Sequence, residues 1–243
     1  MSRLYIDSPL AVEQELILPK ESAHYLLNVL RLRLGAVVTL FNGQGGEYTA
    51  KLVALAKKEA RLQVQAYNPI DRESELHTSL VQAISRPEHM DYTIQKAVEL
   101  GVHQIVPILT ERSVPRSRIS KREQHWRKII ISACEQSGRN RLPMLHPVQT
   151  LSACLAENTE ESQCLVLSPN GKTTLPKALT NLNEPKKLTV LIGAEGGLSE
   201  AELAEAKQAG YLDVSLGPRI LRTETAAVTV LAVCQGLVGD LNK

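Results

Sequence analysis

A glycine-rich loop late in the chain has the residue types of a ligand-binding turn. The apolar run Leu188–Ile192 leads directly into Gly193–Gly197, which reads GAEGG. Glycines tolerate positive φ and let a backbone approach a ligand closely. Ser199 and Glu202 follow in the S-x-x-E pattern, which predicts a capping box at a helix start. Cofactor binding is one interpretation, and a tight turn that needs glycine only for its own geometry is the other. The spacing matches neither the dinucleotide fingerprint nor the P-loop.

A second loop, Leu216–Ala226, carries two arginines between an apolar run and a helical pattern. Arg219 and Arg222 are able to hold an anion or a developing negative charge. We predict Thr223 as the N-cap of the following helix, with Glu224 at its positive end. In the alternative interpretation, Arg222 and Glu224 only form structural pairs.

Positive charge is concentrated in one stretch, although the net charge of the 243-residue chain is only +2. Glu111–Arg141 holds nine Lys and Arg against three Glu, a local charge of +6. This pattern predicts a local nucleic-acid footprint, and a solvated helix face is the alternative. Aromatic residues make up only 3%, so stacking on many bases is not expected to be the main means of binding.

The remaining composition favours a cytoplasmic protein with a buried core and no metal. The four cysteines have no CxxC spacing, which disfavours both zinc ligation and a disulfide framework. The N-terminus lacks the basic start and apolar stretch of a signal peptide. The longest apolar region, Ala226–Val238, is too short to span a bilayer.

The N-terminal part of the chain predicts a small β-barrel domain over residues 1–70. One helix is expected near Glu21–Leu30, where leucines recur at helical spacing, and residues 41–46 (FNGQGG) read as a hairpin turn. The expected strands are Arg3–Ile6, Glu15–Leu18, Val37–Phe41, Glu47–Leu55 and Ala60–Tyr67. Short strands of this kind close, or nearly close, into a barrel.

The second predicted domain covers residues 78–243, after a polar linker at Asn68–His77. Apolar runs of strand length alternate here with helical stretches, which predicts a parallel α/β sheet covered on both faces. Ligands of such sheets bind at the carboxyl ends of the strands. The loops that leave Leu167, Gly193 and Gly217 are therefore the candidates for a site.

At these residues the sequence resembles a known family. The segments that carry the resemblance are Ser85–Val102 (SRPEHMDYTIQKAVELGV), ERS at 111–113, HWRKI with ACEQSGR, LIGAEGGLS and LGPRILRTETA. They are similar, in order and spacing over nearly the whole chain, to the RsmE family of 16S ribosomal RNA uracil-N3 methyltransferases in the SPOUT superfamily. One departure is Ala194, where the family usually has proline.

The resemblance implies a PUA-like RNA-binding barrel, followed by an α/β methyltransferase domain whose last part forms a trefoil knot. It also implies S-adenosylmethionine as cofactor, bound by the three loops named above. The residues expected to bind it are Leu167, Ser168, Ile192, Gly193, Glu195, Gly196, Gly197, Leu216, Gly217, Ile220, Leu221, Thr225 and Ala226.

The resemblance further implies methylation of a uridine in the small ribosomal subunit by a homodimer. The apolar final helix Thr225–Leu237 is predicted as the dimer surface, and simple core packing is the alternative interpretation. Arg222, Arg219 and Glu224 are the candidate catalytic residues. The arginines expected to contact RNA are Arg3, Arg31, Arg33, Arg86, Arg112, Arg116, Arg118 and Arg139. Two other hypotheses are a non-catalytic ribosome-assembly factor with this fold and a SPOUT enzyme with another RNA target. A nucleotide-dependent oxidoreductase is disfavoured by the glycine spacing.

Overall fold

The structure is a computed structural model, and it divides the chain into two compact units. The first contains residues 1–73 together with Cys134–Leu142, and the second contains Ser74–Ala133 and Pro143–Lys243. The structure describes residues 2–18, 23–24, 32–56, 59–113, 119–157, 162–180 and 187–242. Most of the helix predicted near Glu21–Leu30 lies outside these residues.

The first unit is built on a five-stranded sheet in the order β1-β3-β4-β5-β2. Its strands are β1 (Arg3–Tyr5), β2 (Glu15–Ile17), β3 (Val37–Phe41), β4 (Glu47–Ala56) and β5 (Glu59–Asn68). β1 pairs with β3 in parallel, and the other pairs are antiparallel. Alternating apolar side chains such as Val38, Leu40 and Leu62 are fully buried in its core. Five strands were predicted in these places, and closure of the sheet into a barrel stays a prediction.

The segment Cys134–Leu142 belongs to this first unit, although the predicted boundaries placed it in the second domain. The backbone N–H of Tyr5 donates to the Glu135 carboxylate at 3.0 Å, and Gly45 N–H donates to the Asn140 carbonyl at 3.2 Å. These long-range hydrogen bonds fix the segment to the first unit, and no local sequence pattern predicts them.

The second unit holds a parallel sheet of eight strands. The order is β11-β13-β10-β12-β6-β7-β8, with β9 also paired to β7. The strands are β6 (His77–Ala83), β7 (Gln104–Leu109), β8 (Met144–Leu145), β9 (Gln149–Thr150), β10 (Gln163–Leu167), β11 (Thr173–Thr174), β12 (Lys187–Ile192) and β13 (Leu212–Ser215). The predicted parallel α/β class is confirmed.

Helices follow the strands in chain order. They are α1 (Pro87–Glu99), α2 (Ile119–Ser137), α3 (Leu151–Ala156), α4 (Leu175–Thr180), α5 (Glu200–Gln208) and α6 (Thr223–Val238), and a 3₁₀ turn at Asp240–Asn242 follows α6. α1 begins with Pro87, whose fixed φ suits the first helical position.

Both faces of the parallel sheet are covered, because successive side chains of a strand point to opposite sides. Val81 and Ala83 of β6 belong to a buried cluster with Leu155 of α3 and Ala206 of α5. Gln82 points the other way and hydrogen-bonds to Thr223 of α6. The carboxyl ends of β13, β10 and β12 lie side by side, and they define the edge where the predicted loops emerge.

The four cysteines are all buried, and they form no disulfide with one another. Burial raises the pKa of the Cys134 thiol to about 12 and that of Cys154 to about 11. These thiols are therefore core residues.

Candidate functional site

The glycine loop after β12 is closed tightly on itself. Gly197 N–H donates to the Ala194 carbonyl at 2.8 Å, and Gly197 has a φ of +70°. A Cβ on Gly193 would stand 2.6 Å from the backbone carbonyl carbon of Gly197. Both positions need glycine for the loop's own geometry. The same glycines line the cavity described below, and cofactor binding by them stays a prediction.

The first turn of α6 is tied to this loop through a buried chain of hydrogen bonds. The Thr223 hydroxyl donates to the Gly193 carbonyl at 2.7 Å, and Gln82 Nε2 donates to the Thr223 hydroxyl at 3.0 Å. The prediction of Thr223 as N-cap was wrong. Thr223 already lies inside the helix, and the N-cap is Arg222, whose guanidinium has no acceptor with which to cap the helix.

The helix after the glycine loop begins with the predicted capping box. The Ser199 hydroxyl accepts from the Glu202 N–H at 3.3 Å, and the Glu202 carboxylate accepts from the Ser199 N–H at 2.9 Å. The other oxygen of Glu202 accepts from the Glu111 N–H at 2.7 Å, and Arg112 donates to the Gly196 carbonyl at 2.6 Å. The loop after β7 therefore braces the glycine loop.

A cavity of about 300 Å³ opens at the carboxyl ends of β10, β12 and β13. Three loops line it, as expected for a parallel α/β sheet. The lining residues are Leu167, Ser168, Pro169, Ile192, Gly193, Ala194, Glu195, Gly196, Gly197, Val214, Leu216, Gly217, Arg219, Ile220, Leu221, Thr223 and Ala226. Apolar side chains and backbone groups dominate, which is typical of sites for small organic cofactors.

All the residues predicted to bind the cofactor line this cavity except Thr225, which is exposed and does not line it. Sequence reasoning missed Pro169, Ala194, Val214 and Thr223 as lining residues. Pro169 and Ala194 lie within the predicted loops and were recoverable from their position. Thr223 was assigned a capping role instead, because its contact with Gly193 is 30 residues away in sequence.

Glu195, in the middle of the glycine loop, binds the start of α1. Its Oε1 accepts from the Arg86 N–H at 2.9 Å and lies 2.9 Å from His89 Nδ1. Burial by itself raises the pKa of this carboxyl, but the hydrogen bonds from Arg86, from its own N–H and from His89 outweigh it and lower the pKa. Glu195 is therefore a carboxylate at neutral pH, held at the cavity wall.

Glu224 faces the same histidine from the first turn of α6. Its Oε2 is 3.8 Å from His89 Nδ1, and the side chain is only 13% exposed. That oxygen is buried and makes no hydrogen bond within the described residues. Glu224, a candidate catalytic residue, pairs with His89 and with no arginine in the described part of the chain. Sequence reasoning missed His89, since no spacing pattern links it to residues more than 100 positions later.

Of the two candidate catalytic arginines, Arg219 lies at the cavity, and Arg222 stands in the chain between two lining residues, Leu221 and Thr223. Arg219 lines it directly, and both Arg219 and Arg222 are exposed. Ile220 between them is 84% exposed, which is unusual for a large apolar side chain. Neither arginine makes an ion pair within the described residues, so both guanidinium groups are available to an anionic or polar ligand.

Two of the arginines predicted to contact RNA are committed to contacts inside the first unit. Arg3 pairs with Glu47 at 2.6 Å and donates to the Asn140 side chain at 2.6 Å. Arg139 is 4% exposed and pairs with Glu73. The structure corrects the prediction for these two side chains, because their donors are already used by buried protein partners.

The other arginines of that set have different positions. Arg33, Arg86 and Arg112 are exposed, although Arg112 also donates to the glycine loop. Arg31, Arg116 and Arg118 lie outside the described residues.

The described part of the chain offers neither a membrane-spanning helix nor a cluster of metal ligands. No helix there combines the length and apolar character needed to cross a membrane. Among the same residues, no group of three or more His, Cys, Asp and Glu is arranged to hold a metal ion.

Comparison with known proteins gives the class. A family model described as an RNA methyltransferase domain matches residues 72–235, and one described as an RNA methyltransferase PUA domain matches residues 18–65. The ribosomal RNA small subunit methyltransferase E of Buchnera aphidicola from Acyrthosiphon pisum is 35% identical, over 98% of this chain and 94% of its own.

Solved structures agree with this class. The Neisseria gonorrhoeae ribosomal RNA small subunit methyltransferase E, solved with S-adenosyl methionine bound, superposes with a TM-score of 0.92 at 40% identity and covers 99% of both chains. A putative methyltransferase of Legionella pneumophila with bound SAM gives a TM-score of 0.91 at 38% identity, covering 98% of both chains. The chain belongs to the ribosomal RNA small subunit methyltransferase E family.

Proposed function

We propose that this protein transfers the methyl group of S-adenosylmethionine to N3 of a uridine in 16S ribosomal RNA. The observation that carries the proposal is the three-loop cavity at the carboxyl ends of β10, β12 and β13, which is lined by all but one of the predicted cofactor residues. Its volume of about 300 Å³ and its largely apolar lining suit a small organic cofactor. Relatives that cover almost the whole chain bind S-adenosylmethionine.

The cofactor supplies a methyl group already activated by a positively charged sulfur, so the protein's own residues mainly position the acceptor. The backbone groups of Gly193–Gly197 and Leu216–Leu221 would hold the cofactor. As uracil N3 loses its proton, negative charge spreads onto the two neighbouring carbonyl oxygens. Arg219 is exposed at the cavity and Arg222 is exposed between two of its lining residues, and a guanidinium there stabilises such charge.

The target uridine must be unpaired or flipped out, because N3 lies on the edge used in Watson–Crick pairing. We propose the small ribosomal subunit as substrate, a homodimer that uses α6 as an interface, and action in the cytoplasm. The exposed arginines Arg33, Arg86 and Arg112 are the described residues that we propose contact phosphates.

A methyl-transfer assay tests the proposal. Purified protein and labelled S-adenosylmethionine are mixed with 30S subunits that lack the modification, and the product nucleoside is identified. We expect 3-methyluridine, and we expect Arg222→Ala to lose transfer while it still binds the cofactor. Arg61→Ala is the matched control, because Arg61 is an exposed arginine paired with Glu59 in the first unit.

Two results would contradict the proposal in different ways. Cofactor binding without transfer to 30S subunits would indicate another RNA target. Neither binding nor transfer would favour a non-catalytic assembly factor, and Ala194→Pro would then test whether the family's proline restores binding.

A further inference from the structure

We infer that His89 is a further catalytic residue of this site, and that its Nε2 accepts the proton from N3 of the target uridine while Glu195 holds the ring. The inference rests on the proposed function. It is based on the position of His89, which lies beside Glu195 of the cavity wall and beside Glu224 of α6. None of the sequence motifs predicts this arrangement.

The hydrogen bond with Glu195 assigns the tautomer of the ring. Glu195 Oε1 is 2.9 Å from His89 Nδ1, and an ionised carboxylate only accepts hydrogen bonds. Nδ1 therefore carries the hydrogen, which leaves the lone pair of the neutral ring on Nε2. Nε2 makes no hydrogen bond within the described residues, and the side chain is 21% exposed. Within the described residues, no protein group therefore uses the lone pair of Nε2, and in the proposed step the uridine lies against this nitrogen.

The two carboxylates also favour the charged ring once the proton has arrived. The Glu195 carboxylate accepts a hydrogen bond from His89 Nδ1 at 2.9 Å, which orients the ring and places a negative charge beside it. The Glu224 carboxylate lies 3.8 Å from the same nitrogen. A carboxylate behind a histidine base plays both roles in hydrolases, where it fixes the tautomer and stabilises the imidazolium. The buried Glu224 Oε2, which makes no hydrogen bond within the described residues, gains a closely placed cation when His89 is protonated.

The position of His89 on α1 opposes this effect in the resting state. His89 is the third residue of the helix, where the exposed N–H groups and the helix dipole disfavour a positive charge. Its neighbours on the same helix are Glu88 and the exposed Arg86 at the cap. The ring therefore lies between the N-terminal turn of α1 and two carboxylates, Glu195 and Glu224.

The proposed step balances as follows. The N3–H bond of uracil breaks and its proton passes to His89 Nε2. The electron pair of N3 forms the new bond to the methyl carbon. The bond between that carbon and sulfur breaks, its electron pair stays on sulfur, and the sulfur becomes neutral. His89 then releases the proton to water.

The test compares His89→Asn with the unchanged protein in single-turnover methyl transfer to 30S subunits. The Nδ2 of asparagine stands near the place of Nδ1 and still donates to Glu195, but asparagine has no basic nitrogen. We expect the rate to fall about 10²- to 10⁴-fold, the usual contribution of a general base. Binding of S-adenosylmethionine is expected to be unchanged.

A pH profile and chemical rescue separate catalysis from simple support of the loop. The rate of the unchanged protein should fall at low pH, because a ring that is already protonated cannot accept the N3 proton. The His89→Asn variant should lose this limb and instead depend on hydroxide. Added imidazole should restore part of the rate of His89→Ala. The control is His146→Asn, since His146 lies 3.0 Å from Gln104 at the opposite edge of the same sheet.

The outcomes separate this inference from the proposed function. No 3-methyluridine from the unchanged protein contradicts the proposed function and, with it, the inference. Normal transfer by the unchanged protein and an equal rate and pH profile in His89→Asn overturn the inference alone. A slower variant whose pH profile is unchanged and which imidazole does not rescue also overturns it, because the histidine would then serve only the structure.

Discussion

The Thr223 hydroxyl donates a 2.7 Å hydrogen bond to the Gly193 carbonyl, and this bond joins the first turn of α6 to the glycine loop. Both groups are buried, and the Thr223 hydroxyl also accepts a hydrogen bond from Gln82 Nε2 at 3.0 Å. The wall of the cavity on one side is therefore fixed to the helix that carries Glu224. The geometry of the glycine loop therefore depends on the Thr223 side chain, which comes from α6.

Replacement of Thr223 by valine should lower both stability and cofactor affinity. The change leaves the Gln82 amide and the Gly193 carbonyl with one partner fewer in a buried place, which costs about 1–3 kcal/mol. Urea unfolding followed by the fluorescence of the buried Trp126 measures the first effect, and calorimetric titration with S-adenosylmethionine measures the second. Thr229→Val on the same helix is the control. Equal losses in both variants would contradict a specific role for Thr223.

Replacement of glycine by alanine should destabilise the protein at Gly193 and stabilise it at Gly236. Gly193→Ala places a Cβ 2.6 Å from the Gly197 backbone, so the loop must move, and overpacking of this kind costs about 1–3 kcal/mol. Gly236→Ala adds a Cβ inside α6 with no atom within 4 Å, and it should stabilise by about 0.5–1 kcal/mol. Thermal unfolding of the two variants checks the prediction. Stabilisation by Gly193→Ala would mean that the tight loop is not the native one.

Loss of Arg139 should disorder a segment rather than weaken RNA binding uniformly. Arg139 and Glu73 form an ion pair with side chains only 5% and 8% exposed, and removal of one partner of a buried pair costs about 3–5 kcal/mol. We expect Arg139→Ala to speed hydrogen exchange in Cys134–Leu142 and in β3 and β4. The double variant Arg139→Met with Glu73→Leu should recover protection, because it leaves no unpaired charge. Protection that stays low in the double variant would point to another role for Arg139.

Local patterns were sufficient for most of the scaffold and for the cavity. Alternating apolar residues predicted β3 to β5, and the alternation of strand and helix patterns predicted the parallel sheet and the edge where its loops meet. The S-x-x-E pattern predicted the cap of α5, because that bond joins residues three apart. These features depend on neighbours in sequence.

The remaining features depend on contacts between distant residues. Tyr5 binds Glu135 across 130 positions, which draws Cys134–Leu142 into the first unit. His89 meets Glu195 across 106 positions. Arginines read the same in sequence whether they face solvent or a buried acid, so charge alone did not separate Arg139 from Arg33.

The acid sensitivity of the first unit should depend on Glu47. Burial by itself raises the pKa of Glu47, but hydrogen bonds and charge from Arg3, Arg72 and Asn140 outweigh it and lower the pKa. A lowered pKa in the fold stabilises the protein at every pH above the unfolded value of about 4.3, and this contribution disappears as pH falls through the folded value. Glu47→Gln should therefore destabilise at neutral pH and match the unchanged protein in strong acid.

Glu135 provides a control, because replacing it with glutamine should change the stability in the opposite direction. Burial is the main reason that its pKa is raised, and the hydrogen bond from the Tyr5 N–H only partly compensates. The charged form is therefore unfavourable in the fold, and Glu135→Gln, which can still accept that hydrogen bond, should stabilise at neutral pH. The gain should shrink as pH falls through the raised folded pKa, and it should disappear below the unfolded value of about 4.3, where the carboxyl is neutral in both states. Urea unfolding over the acid range measures both variants, and effects of the same sign would contradict the opposite environments of the two carboxyls.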